Sequence, residues 1–316
     1  MAVGFLLLFF FVPETAYRRA DYLNTDLLDE KAYRRSLDIP STSATPSGEK
    51  PSHTTTVTEA SPARSSWVQS WKPFNGRKTD ESFFKLLLRP FPLFFHPAIA
   101  WACLIQGVII GWTVMVGVIL SLIYLGPPLF FDEERTGKMY TGAFIGSMIG
   151  LVLSGLYSEF TTRFMVRLNK GKYEPEFRIL LVVPTLIFAA VGLYGFGITA
   201  ANTYRYGWLI PDVFLAFILI SMVMGAIASA QYLLDAHRDI AVEAFTNLLI
   251  FKNMFSFILA YFAYNWVFAG GIRHLFIIFG SIEVALCLLS VPMYVLGKKN
   301  RDFFHRHDLL QLTRLR

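Results

Sequence analysis

Residues 98–124, AIAWACLIQGVIIGWTVMVGVILSLIY, carry no charged side chain. The run exceeds the roughly 18 apolar residues that mark a membrane-crossing helix. Comparable runs lie near 140–160, 179–199, 208–232, 246–268 and 274–296. With 54% apolar residues against 16% charged ones, the composition excludes a pair of ordinary soluble domains. The fold class expected is therefore an all-α membrane protein. Cys103 and Cys287 sit inside apolar runs as small hydrophobes, without disulfide or metal spacing.

Lysine and arginine set the expected orientation. Of the 29 such residues, 25 fall in 13–92, 159–178, 233–252 and 297–316, leaving Arg135, Lys138, Arg205 and Arg273 for the opposite side. By the positive-inside rule the first group is cytoplasmic. The net charge of +6 is thus a membrane-orientation signal, and no aromatic-interleaved basic stripe points to nucleic acid.

The chain opens on MAVGFLLLFFFVPETAYRR, residues 1–19, whose apolar part stops at Pro13. As a helix that part spans about 16 Å, roughly half a bilayer core. It lacks the basic start and small-residue cleavage site of a signal peptide. If 13–92 is cytoplasmic, residues 1–12 are expected to be the last part of a helix arriving from outside. Within 13–92, STSATPSGEKPSHTTTVTEASPARSS reads as a disordered linker and phosphorylation target, and ESFFKLLLRPFPLFFHP as interfacial.

Seven strings carry a family resemblance: HPAIAWACLIQGVIIGWTV, GPPLFF, YTGAFIGSMIGLVLSG, RLNKGKYEPEFRI, GLYGFGIT, DAHRDIAVEAF and PMYVLGKKNR. Together with FFFVPETAYRR they resemble the second half of a major facilitator superfamily transporter, closest to fungal members grouped with twelve-span drug:proton antiporters. The resemblance implies a six-helix C-terminal lobe, residues 93–297, after the remnant of a sixth helix (1–12) and a central loop (13–92). A basic tail, 298–316, follows. It also implies that an N-terminal lobe, or a partner lobe, completes the transporter.

The superfamily's cytoplasmic signature places a glycine, then an acid, then an arginine four residues on. Gly155, Glu159 and Arg163 match it, with Glu in place of Asp, while Phe160 and Thr162 depart from it. Glu159 and Arg163 are spaced to pair on one helix face. Arg167, Asn169, Gly171, Pro175, Glu176 and Arg178 continue the turn, and Asp235, Arg238 and Glu243 occupy the next cytoplasmic connection. This set is the expected gate. An ordinary positive-inside loop explains the same charges. Glu174 and Glu176 around Pro175 are expected to cap the following helix.

Small residues recur every fourth position at Gly142, Gly146, Gly150 and Ser154, at Ser221, Gly225 and Ser229, and at Gly107 and Gly111. They suit close helix packing. Glu283 is the carboxylate that lies well inside a span, about 14 Å from the outer end of its helix. An intramembrane acid is a candidate proton carrier or cation counter-ion, with a structural role as the alternative. Gln106, Trp112, Thr113, Ser147, Ser221, Asn253 and Tyr261 are candidate cavity residues, each equally suited to helix packing.

The histidines, His53, His96, His237, His274, His305 and His307, form no ligand set, and no phosphate-binding glycine loop is present. No cofactor, metal or enzymatic activity is expected. The reading is a secondary transporter moving amphipathic organic solutes by alternating access, coupled to protons, in the plasma membrane. Uptake of a polyamine or other small organic cation is the alternative within transport. A six-span truncated or regulatory membrane protein without transport activity is the alternative outside it.

Overall fold

The computed structural model describes residues 82–306. The half-span at 1–12, the linker up to residue 81 and residues 307–316 lie outside the described residues. Two short helices, Phe83–Leu88 and Pro90–Leu93, lead into the bundle where the sequence suggests an interfacial segment.

Helix α1, Pro97–Leu125, starts where its sequence provides a cap. Extended His96 accepts the Ala98 N–H on Nδ1 at 3.2 Å, and Pro97 stands in the first turn, where its missing N–H costs nothing. After a short helix at Glu133–Lys138, α2 runs Tyr140–Leu168 and ends on Asn169. Gly171 then takes φ +81°, the left-handed turn that glycine alone adopts freely, and Asn169 Nδ2 donates to the Lys172 carbonyl at 3.1 Å. A 3₁₀ segment, Pro175–Leu181, feeds α3, Val182–Ala200. Helix α4 is Leu209–Ala236, and a 3₁₀ turn at Arg238–Ile240 leads to α5, Ala241–Leu288, and α6, Ser290–Arg306.

Five continuous helical stretches are long and apolar enough to cross a membrane; the last, Ala241–Phe304, holds 64 residues. The sequence separates that region into spans at 246–268 and 274–296. Both are present, joined through Gly271, whose φ of 74° and ψ of 158° break the helix. Contacts along α1 show that the chain reverses there. Going up α1, Gly107 and Gly111 meet Phe251 and Phe255 of the first arm, which ascends with it. Trp112, Trp101 and His96 meet Glu283, Ser290 and Phe304 in turn, so the second arm descends. No proline lies in 241–288, and helix therefore continues up to and directly beyond Gly271.

The glycine ridges do what their spacing suggests. A Cβ on Gly146 would strike the Ala216 backbone, and one on Gly150 would lie 3.0 Å from the Ile220 Cα. Helices α2 and α4 thus touch backbone to backbone. Gly225 faces Thr185 and Ile105 where α4 meets α3 and α1. Gly155, which lies off the ridge of α2, faces open space. The core fills in two apolar clusters, one around Trp112, Met115, Phe196 and Phe276, the other around Trp101, Ile105, Tyr232 and Leu248. Helix α2 keeps an apolar face outside them, with Phe144, Met148, Leu151, Val152 and Leu156 exposed, as a surface in contact with hydrocarbon allows.

The last helix does not stop at the expected lobe boundary of 297. It continues to Arg306, with Lys298 and Arg301 turned back onto the bundle.

Candidate functional site

Within the bundle, Glu283 is fully buried, at 0% exposure. Its Oε2 accepts the indole N–H of Trp112 at 3.1 Å, and the Cys287 thiol, one turn along, faces Oε1 at 3.8 Å. The Trp112 ring is fixed in turn, stacked on Phe279 with centroids 4.0 Å apart and edge-on to Phe255 at 5.6 Å. Among the described residues Glu283 has no cationic partner. Oε2 can accept the indole N–H whether or not Oε1 carries a proton, so the pocket accommodates both forms of the carboxyl. The structure therefore joins two separately nominated residues, Glu283 and Trp112, into one unit and adds Cys287. That third member stands four residues after Glu283 on the same helix face, a spacing that brings the two side chains together.

The remaining cavity candidates divide. Thr113, Ser147 and Ser221 return their hydroxyls to the carbonyls of Ile109, Ala143 and Ile218 at 2.9, 2.8 and 2.7 Å, the back-bonding that satisfies a hydroxyl within a helix. Gln106 accepts from Ser229 at 3.2 Å, tying α1 to α4. Asn253 and Tyr261 lie on the exposed face of the first arm of α5, Tyr261 at 70% exposure beside Phe257 and Phe262.

The charged set gathers at the end of the bundle where α1 begins, the His96 end, in a different arrangement from the one expected. Glu159 and Arg163 do pair on α2, but both are exposed and the pair binds no other helix among the described residues. Arg167 is exposed and makes no ion pair among the described residues. The joint between helices is built by Arg178. Its Nε lies 3.0 Å from Asp235 at the end of α4, and its Nη1 donates to Ser158 on α2 at 2.8 Å. Ser158 donates to Gln231 at 2.7 Å, and Tyr173 donates to Asp235. One guanidinium thus links α2, the entry of α3 and α4. Burial and the Asp235 carboxylate together push the Tyr173 hydroxyl up to about 12, leaving it a donor at any physiological pH.

The connection 235–243 is not the self-contained salt-bridged turn that its alternating charges suggest. Asp235 turns to Arg178, Glu243 to Arg89 at 3.4 Å, and Arg238 to solvent. Likewise Glu174 occupies the N-cap position of the 3₁₀ segment without capping it through its side chain. Its carboxylate binds Lys298 at 3.0 Å, which holds it below the usual carboxylate range, while Glu176 meets Arg301 at 3.0 Å. Pro175 occupies the first turn as expected. Helix α6 supplies partners that local spacing could not reveal.

No protein-family model matches this chain, and no solved structure does. Curated relatives do. Over 178 residues, 56% of this chain and 30% of the relative, it is 28% identical to Protein HOL1 of Saccharomyces cerevisiae. It is 26% identical to the MFS-type transporter penM of Penicillium rubens over 72% of this chain and 44% of that one. Identity to the MFS transporter cpaT of Aspergillus oryzae is 24% over 69% of this chain and 44% of that protein. The protein is an integral membrane protein resembling fungal major facilitator superfamily transporters, with the all-α fold that resemblance implies. The matched chain spans less than half the length of these relatives.

Proposed function

We propose that this chain supplies the later six-span lobe of a major facilitator superfamily secondary transporter, with the central loop and the C-terminus cytoplasmic. The observation that carries the reading is the similarity, across most of the helical lobe, to proteins named as transporters of that superfamily. In this reading the lobe rocks against a second lobe around a midplane chamber. Arg178, Asp235, Tyr173, Ser158 and Gln231 act as one rigid unit at the cytoplasmic gate. The exposed, largely uncharged face of α5 around Asn253 and Tyr261 lines the chamber, which suits amphipathic organic solutes. Glu283 serves as the proton-exchanging carboxyl, supported by its complete burial and its lack of a cationic partner. The plasma membrane is the proposed location.

The test is flux. The chain is reconstituted in liposomes alone and together with a preceding six-span lobe, and uptake of an amphipathic fluorescent cation is followed under an imposed pH gradient. The reading predicts flux only with both lobes present, abolished when the gradient is collapsed. Robust flux by the chain alone would overturn it.

A further inference from the structure

At the His96 end, α6 closes over a pair of histidines. The His96 and His237 rings meet edge-on with centroids 4.6 Å apart, and Phe304 of α6 covers His96 at 4.2 Å. His96 is 2% exposed and already uses Nδ1 to accept the Ala98 N–H, a bond that requires that nitrogen to be unprotonated. Among the described residues, His237 Nε2 is buried without a hydrogen-bond partner.

The charged group that acts on the pair is Arg301. From α6, Arg301 acts electrostatically on His237, and its own Nε is buried without a hydrogen bond among the described residues. From the 3₁₀ segment Glu176 binds Arg301 at 3.0 Å. From α4 comes the buried Tyr232 hydroxyl, while Asp235 is held by Arg178. Between the entry helices and α5, Arg89 and Glu243 close on each other, and Arg238, next to His237, is exposed. A proton on either imidazole would break the α1 cap or place a second cation beside Arg301.

We propose that α6 is a pH-sensitive clamp, closed over His96 and His237 while both are neutral and released when the compartment facing the His96 end acidifies. Release frees the last turns of α6 and, with them, the ion pairs Glu176–Arg301 and Glu174–Lys298 that tie α6 to the entry of α3. Tightness at Gly297, where a Cβ would lie 2.9 Å from Glu176 Cγ, shows how closely the closed clamp fits.

The sign follows from linkage. Burial lowers His96 from 6.5 to about 4, and burial, then His96, then Arg301 lower His237 from 6.5 to about 3. A group depressed in the closed state favours closure above its open-state value of 6.5 and withdraws that support as pH falls below it. Between pH 7.5 and 5.5 the shift is about tenfold for each histidine and about 100-fold for both.

The experiment is hydrogen–deuterium exchange on the full chain in nanodiscs, following peptides within 290–306 and correcting for intrinsic exchange at each pH. Corrected protection is expected to fall about 100-fold from pH 7.5 to 5.5 in the wild type. The single variants His96→Asn, which retains a capping acceptor, and His237→Asn are each expected to show about a tenfold fall. The double variant is expected to be flat. Glu176→Gln should lower protection at every pH while keeping the slope. A pH-independent wild type would overturn the clamp even if a variant fails to fold. So would an unchanged slope in the double variant, or a slope abolished by Glu176→Gln alone.

Discussion

Trp112 and Glu283, 171 positions apart in sequence, are joined by a 3.1 Å hydrogen bond in the interior of the bundle. The bond links α1 to the descending arm of α5 and exists because the chain reverses at Gly271. Trp112→Phe keeps the stacking on Phe279 but removes the one strong donor on Glu283 among the described residues. It is expected to destabilise the lobe by about 1–3 kcal/mol, the usual cost of an unsatisfied buried polar group. Glu283→Gln retains an oxygen that can accept the indole N–H and should cost less. Thermal unfolding in a single detergent checks the order of the two.

The same carboxyl separates a structural role from a mechanistic one. In the complete two-lobe transporter, Glu283→Gln is expected to leave folding intact while abolishing the pH dependence of flux. Transport and pH dependence both unchanged would remove Glu283 from the mechanism.

At the His96 end the account distinguishes two ion pairs of similar appearance. Arg178 and Asp235 are each about 23% exposed and embedded in further hydrogen bonds, whereas Glu159 and Arg163 are 62% and 71% exposed. A double-mutant cycle on Arg178 and Asp235 should give a coupling of about 1 kcal/mol or more, against less than about 0.5 kcal/mol for Glu159 and Arg163. Arg178→Lys should not restore the wild-type value, because a single ammonium cannot hold Asp235 and Ser158 in the guanidinium's fixed fork.

Glycines of one helix, on and off the ridge, should respond unequally. Gly146→Leu places a side chain against the Ala216 backbone, which cannot withdraw, and should destabilise by about 1–3 kcal/mol or prevent α2 from docking. Gly155→Ala, with open space around it, should be neutral or slightly stabilising through higher helix propensity. Protein yield after extraction and unfolding temperature read both.

Much of the fold was legible because the bilayer imposes long apolar runs that no other environment rewards. The spans at 98–124 and 208–232 and the ridge at Gly142, Gly146 and Gly150 follow from composition and spacing alone. Partner choice was not legible in the same way. Spacing within one helix correctly pairs Glu159 with Arg163, yet the joints between helices depend on residues far apart in sequence, such as Arg178 with Asp235 and Glu176 with Arg301. Glutamates flanking Pro175 look like caps because local spacing knows nothing of α6. The meeting of His96 and His237 is hidden for a related reason: two histidines 141 positions apart show no ligand spacing until the fold brings their rings together.

Sidedness is the claim on which the lobe account most depends, and cysteine accessibility measures it. Cys103 and Cys287 are buried, which leaves a quiet background for single replacements at Ser65, Arg273 and Asp302. In intact cells a membrane-impermeant maleimide is predicted to label Arg273→Cys alone, with Ser65→Cys and Asp302→Cys labelling only after permeabilisation. Labelling of Ser65→Cys and Asp302→Cys from opposite faces of the membrane would contradict the account.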